Sequence, residues 1–322
     1  MTAIRWGMIG CGSVTERKSA PAYQQVEGFT LHGVFNRTRA KAEDYAARHG
    51  VARVFDSAAA LIDDPDIDAV YIATPPDSHE AYALDVARAG KPCCIEKPMA
   101  PDHEACVRIR DAFADRALPL FIAYYRRALP RFRQVRAWLD EGAIGQVRHV
   151  HWALTKPASP VDLSGTNWRV DAAIAPGGYF DDLASHGLDL FCWLFGDVAD
   201  VAGFAVNQQG RYSAADAVTG CWLHARGVTG SGSWNFGAAD RQDRVEITGS
   251  TGRIVFSIFD EEPLRLSRGT EHIEMAIAHP PTIQYFHVEA MRDHLAGHGP
   301  HPSTGESGAH TAWVMDRILS RR

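Results

Sequence analysis

The chain has 322 residues, 46% of them apolar and 22% charged, which is enough for two domains with sizeable cores. A net charge of −6 disfavours a nucleic-acid surface, which needs a basic face. No apolar run approaches the ~20 residues of a membrane-crossing helix.

The start, Met1-Thr2-Ala3-Ile4-Arg5-Trp6, lacks the charged-then-apolar order of a secretory leader. Cys11, Cys93, Cys94, Cys106, Cys192 and Cys221 form no C-x-x-C pair or disulfide-like framework, so reduced thiols and a cytoplasmic location are expected.

In chain order, residues 4–9 read as a buried strand running into Gly10-Cys11-Gly12-Ser13-Val14-Thr15. A G-x-G turn after a strand and before a helix suits a dinucleotide. The first glycine permits the turn, and the second admits a pyrophosphate to backbone N–H groups. Thr15 stands where Gly or Ala is usual. The next strand, 30–35, ends in Asn36-Arg37-Thr38-Arg39, with no acid at its tip to accept from a ribose 2′-hydroxyl. Arginine there pairs with a 2′-phosphate, so NADP is expected over NAD, with Arg37 leading and Arg39 helping. The alternative is a pair of solvated arginines opening a helix.

The strand at 68–73 is broken by Thr74-Pro75-Pro76, a stiff rim over the cofactor, followed by a helix carrying His79. His79 either contacts the cofactor or caps its own helix. The apolar run into Cys94-Ile95-Glu96-Lys97-Pro98-Met99 reads as another parallel strand leaving its sheet, where a lysine can enter the ligand crevice. A helix at 102–116 and a strand at 119–123 complete a doubly wound pattern.

After Tyr124-Tyr125-Arg126-Arg127 the character changes. A helix (130–141), a strand (146–155) and a Pro/Ser/Gly-rich loop to Gly165 lead to Asn167-Trp168-Arg169. Glycines 177 and 178 then open an amphipathic helix carrying Asp182 and His186 four residues apart on one face. Carboxylate beside imidazole suits a general acid/base, although such a pair also decorates ordinary helices. A third ligand at metal-site spacing is missing, so no metal is expected. Six strands follow, at 201–206, 217–223, 230–236, 245–248, 253–256 and 264–267, with turn signals that imply a largely antiparallel sheet. Helices at 283–296 and 306–319 close the chain.

Taken together, Gly10-Cys11-Gly12, Ala73-Thr74-Pro75-Pro76 with His79, Glu96-Lys97-Pro98, Trp168-Arg169 and the Asp182/His186 spacing resemble the Gfo/Idh/MocA family of NAD(P)-dependent oxidoreductases over essentially the whole length. The resemblance implies an α/β fold: a doubly wound Rossmann domain (1–122), then an α+β domain (123–322) with a large, mostly antiparallel open sheet. It implies pairing through that sheet's open face, as homodimer or homotetramer, and a small-molecule substrate. It makes Lys97, Asp182 and His186 the catalytic set and allows a cis Lys97–Pro98 bond. Gly10, Cys11, Gly12, Ser13, Val14, Asn36, Arg37, Arg39, Thr74, Pro75, Pro76, His79, Glu96, Lys97, Tyr124, Trp168 and Arg169 become cofactor positions. Trp168 and Arg169 join Tyr125 and Tyr179 around the substrate. The expected chemistry is hydride transfer between nicotinamide and a sugar, polyol or related cyclic alcohol or carbonyl. The alternatives are a non-catalytic nicotinamide-binding regulator and an NAD-dependent glycosidase.

Overall fold

A computed structural model describes residues 3–164 and 167–320; Gly165, where the loop reading ends, lies outside them. The chain forms two compact units, Met1–Leu129 with Pro280–Ala309, and Pro130–His279 with His310–Arg322. The sequence reading places one boundary at 122/123; in the structure residues 280–309 group with the first unit.

The first unit is built on a parallel six-stranded sheet of order β3-β2-β1-β4-β5-β6. The strands are β1 (Ile4–Ile9), β2 (Phe29–Phe35), β3 (Arg53–Val54), β4 (Ala69–Ile72), β5 (Cys93–Ile95) and β6 (Leu120–Ile122). Helices α1 (Ser13–Arg17), α2 (Ala22–Gln25), α3 (Arg39–His49), α4 (Ala58–Ile62), α5 (His79–Arg88) and α6 (His103–Ala114) connect them. β4 and β5 are buried at every residue, as a parallel sheet covered on both faces requires. Local chemistry sets the helix ends: Ser57 and Asp102 accept from Ala60 and Ala105 N–H, and Gly50 ends α3 in the left-handed region. Trp6, Tyr23, Phe29 and Tyr71 pack ring against ring in one core. Val288 and Met291 from α9 (Tyr285–Leu295) enter that same core, which is why 280–309 folds here.

The second unit carries α7 (Pro130–Asp140), β7 (Val147–Thr155), α8 (Tyr179–Phe195) and seven further strands. These are β8 (Val198–Val206), β9 (Ala217–His224), β10 (Thr229–Asn235), β11 (Gln242–Gly249), β12 (Arg253–Phe256), β13 (Leu264–Arg268) and β14 (Glu271–Met275). The sheet order is β14-β13-β12-β11-β7-β10-β9-β8, and the β7–β10 pair is parallel within an otherwise antiparallel ladder. α10 (Gly305–Ile318) is the last helix among the described residues. Val150, Trp152 and Leu154 alternate inward along β7. α8 packs closely on that side, because a Cβ at Gly187 would lie 2.3 Å from the Trp152 ring.

Candidate active site

In the first unit the chain leaves β1 at Gly10, whose φ of +102° favours glycine. A Cβ at Gly10 would lie 2.7 Å from the Ala73 carbonyl oxygen, so the turns after β1 and β4 abut. They meet where the strand order reverses, the place where open α/β sheets bind ligands. Gly12 has nothing within 4 Å of where a Cβ would point, which leaves room for a pyrophosphate to reach the backbone. The bulkier third residue is absorbed downward. Thr15 is buried, donates its hydroxyl to the Gly12 carbonyl (2.8 Å), and accepts from Tyr45 on its own carbonyl (3.0 Å). Burial pushes the Cys11 thiol up to about 12, so it stays protonated. Ser13 is exposed and Val14 half-buried.

At the end of β2, Asn36 accepts from the Thr38 N–H (2.9 Å) and shapes the turn. The two arginines differ. Arg37 is exposed and makes no ion pair with a described residue. Arg39 is committed to Glu43 (2.7 Å) and Asp56.

His79 is fully buried, with Nε2 2.8 Å from the Thr74 carbonyl and Nδ1 3.1 and 3.2 Å from the Pro98 and Met99 carbonyls. Burial outweighs these contacts and pushes its pKa down. The ring therefore ties the Thr74-Pro75-Pro76 rim to the turn after β5. Neither a direct cofactor contact nor a cap fits this geometry, because no ring atom is exposed and both nitrogens face carbonyls from other loops. Glu96 is similarly occupied, accepting from Tyr71 (2.6 Å) and Gln284 (2.8 Å) at 5% exposure. Lys97 is half-buried at the carboxyl end of β5, and the Lys97–Pro98 bond is cis. Tyr124 and Tyr125 are buried at the turn after β6, with the Arg126 guanidinium 4.9 Å over the Tyr125 ring.

In the second unit, α8 opens at Gly178, where φ is +65° and a Cβ would meet the Ala215 carbonyl oxygen at 2.2 Å. Gly177 donates its N–H to Asp181 (2.9 Å). Tyr179, Asp182 and His186 follow at one-turn and two-turn spacing along one helix face. Asp182 and His186 are 7% and 4% exposed. Arg169 Nε donates to Asp182 at 2.5 Å, while its guanidinium lies 4.6 Å over Trp168. Trp168 and Arg169 are thus built into the same constellation as the aspartate.

Four contributors were not singled out from sequence. Phe259 stands edge-on to His186 at 5.8 Å. Asp243, its pKa raised by burial, holds that segment by accepting from Phe259 N (2.6 Å) and Trp152 Nε1 (2.9 Å). Asp162 accepts from Tyr179 (2.6 Å) and Asn167 (3.1 Å), and Lys156 sits 3.9 Å over the Tyr179 ring. Only tertiary contact reveals them, since no short motif contains them. Among the described residues no group of three His, Cys, Asp or Glu side chains is arranged to hold a metal, and no helix is long and apolar enough to cross a membrane.

A parallel sheet of this order with a glycine turn at its switch point in one unit, and an α8 bearing a buried acid and imidazole in the other, define a dinucleotide-binding oxidoreductase fold. Residues 4–124 match the oxidoreductase family's NAD-binding Rossmann fold, and 132–255 match the GFO/IDH/MocA C-terminal domain. The chain is 36% identical to Oxidoreductase P35 of Formosa agariphila over 97% of each chain. It is 25% identical to 1,5-anhydro-D-fructose reductase of Ensifer adhaerens, over 94% of this chain and 92% of that one. The solved levoglucosan dehydrogenase complex with NADH and levoglucosan superposes with a TM-score of 0.87 at 25% identity, covering 99% of this chain and 97% of that one. The protein belongs to the Gfo/Idh/MocA family of oxidoreductases.

Proposed function

We propose that the protein transfers a hydride between a nicotinamide cofactor and the carbinol carbon of a sugar, polyol or related cyclic alcohol, with NADP the preferred partner. The cofactor supplies the redox chemistry, and the chain supplies placement and proton transfer. Gly10 and Gly12 cradle the pyrophosphate and Arg37 pairs with the 2′-phosphate. His186 takes the hydroxyl proton in oxidation and returns it in reduction. Asp182, fixed by Arg169, orients the imidazole, and Lys97 donates to the substrate oxygen as charge develops on it. The observation that carries the reading is the buried Asp182 and His186 on one face of α8, with the Arg169 ion pair at 2.5 Å.

Relatives named as sugar or polyol enzymes support the substrate class. Exposed Phe204, Val206 and Leu223 on the large sheet support a homodimer or homotetramer built on that face. Free cysteines suit a reducing, cytoplasmic setting. The test is titration with NADPH and NADH, followed by a polyol and sugar screen with the tighter cofactor. Stoichiometric reduction of the cofactor supports a dehydrogenase. Cofactor recycled in place with loss of a glycosidic bond would favour the glycosidase alternative.

A further inference from the structure

Lys156 follows β7 directly, and its N–H bonds the Asn235 carbonyl at the end of the parallel β7–β10 pair. Its ammonium is half-buried over the Tyr179 ring at 3.9 Å. An ammonium carries three donors, yet this one makes no hydrogen bond or ion pair with a described residue. The nearby acid is already committed. Asp162 spends Oδ1 on Tyr179 and Asn167 and Oδ2 on the Ser159 N–H, so it braces the loop without closing an ion pair on Lys156. The other cations facing Lys156 are neutralised elsewhere, Arg169 by Asp182 and Arg241 by Asp260. A second donor stands in the same neighbourhood: the buried Tyr212 hydroxyl has no partner among the described residues and faces Asp162 and Tyr179. A partly desolvated cation and an orphan hydroxyl, both waiting on an acceptor, are costly features for a purely structural wall.

Tyr179 lies on the α8 face that carries Asp182 and His186, about 10 Å of helix from the imidazole. A ligand held at His186 can therefore reach toward Lys156 with its far end. We infer that Lys156 is a specificity-determining residue that pairs with a carboxylate on the substrate, making sugar acids (hexuronates or aldonates) the preferred substrate class. The inference deepens the hydride-transfer reading of α8 and rests on it. A single ammonium with its donors open matches a carboxylate monoanion.

The test measures binding calorimetrically to the cofactor-loaded protein, using glucuronate, galacturonate and gluconate against glucose, galactose and sorbitol. The same panel is assayed for turnover. At least one acid should bind at least about tenfold tighter than its neutral counterpart, with the margin shrinking as salt rises. Lys156→Gln should remove that margin while leaving weak binding of the neutral partner and thermal stability unchanged, and Lys156→Arg should restore part of it. Equal binding of acids and neutral partners, binding of neither, or an undiminished margin in Lys156→Gln would overturn the inference. The two readings fail separately. Neutral polyols turned over without acid preference sink the role of Lys156 alone. Acids bound through Lys156 but never oxidised or reduced sink the hydride-transfer reading.

Discussion

The two units hold their functional residues by different physical means. In the first, the residues at the proposed cofactor turn stand at strand ends and are fixed by backbone: Gly10 pressed against the Ala73 carbonyl, and, behind it, His79 bound to three carbonyls of two loops. In the second, α8 presents the proposed proton relay, but side chains far away in sequence hold it. Trp152 fills the space at Gly187, Phe259 lies against His186, and Asp243 ties both together. Backbone-built sites leave short motifs in a sequence, whereas packing-built sites leave almost none. A dinucleotide is invariant and a substrate is not, which suits one half to fixed loops and the other to replaceable side chains.

The sharpest way to separate the halves is His186→Ala. General acid/base help is worth about 10²–10⁴-fold, so turnover should fall by that much with cofactor affinity unchanged. Near-normal turnover would remove His186 from the chemistry.

Two glycine substitutions probe the support of each half. Gly187→Ala drives a Cβ into the Trp152 ring, an overpacking cost of about 1–3 kcal/mol. It should lower the melting temperature by several degrees and turnover with it, leaving cofactor affinity alone. Gly10→Ala strains a left-handed turn and pushes against Ala73, so it should weaken cofactor binding as well as stability. If the two variants show the same pattern of losses, the proposed division of labour is wrong.

Acid should weaken the first unit. Burial holds His287 well below its usual range and His301 down to about 4, and lowers His79. The unfolded chain takes protons at these positions near pH 6.5, before the folded one does. Stability is therefore full above that pH and falls as pH drops toward about 4. Thermal melts at stepped pH should show that decline, and a flat profile from pH 7 to 5 would contradict it.

The smallest expected effect is Arg37→Ala. Its guanidinium is exposed, so NADPH affinity should weaken by about tenfold while NADH affinity stays put. An unchanged preference would return the choice of cofactor to other residues.

The same contrast explains what could be read in advance. β1, its glycine turn, the end of β5 at Lys97 and the Asp182/His186 spacing are local patterns, and each stands where its residues suggested. β3 escaped notice at two residues, and β14 because Glu271–Met275 is mostly polar, with only Ile273 and Met275 alternating inward. The parallel β7–β10 pairing joins segments too far apart for turn chemistry to announce it. The role of His79 was legible only in part, because the motif marks the residue without saying that both nitrogens face carbonyls. Lys156 and Phe259 carried no signal, since their meaning comes from what α8 places beside them.

The central claim is that α8 runs proton transfer for a hydride passed to or from a dissociable nicotinamide. The most direct measurement incubates wild type and His186→Ala with oxidised cofactor and the sugar and polyol panel, and counts reduced cofactor against carbonyl product. The account predicts one-to-one formation in wild type, and cofactor bound as tightly but scarcely reduced in the variant. Tight cofactor binding with no reduction in either protein, across the panel and its oxidised counterparts in the reverse direction, would contradict it.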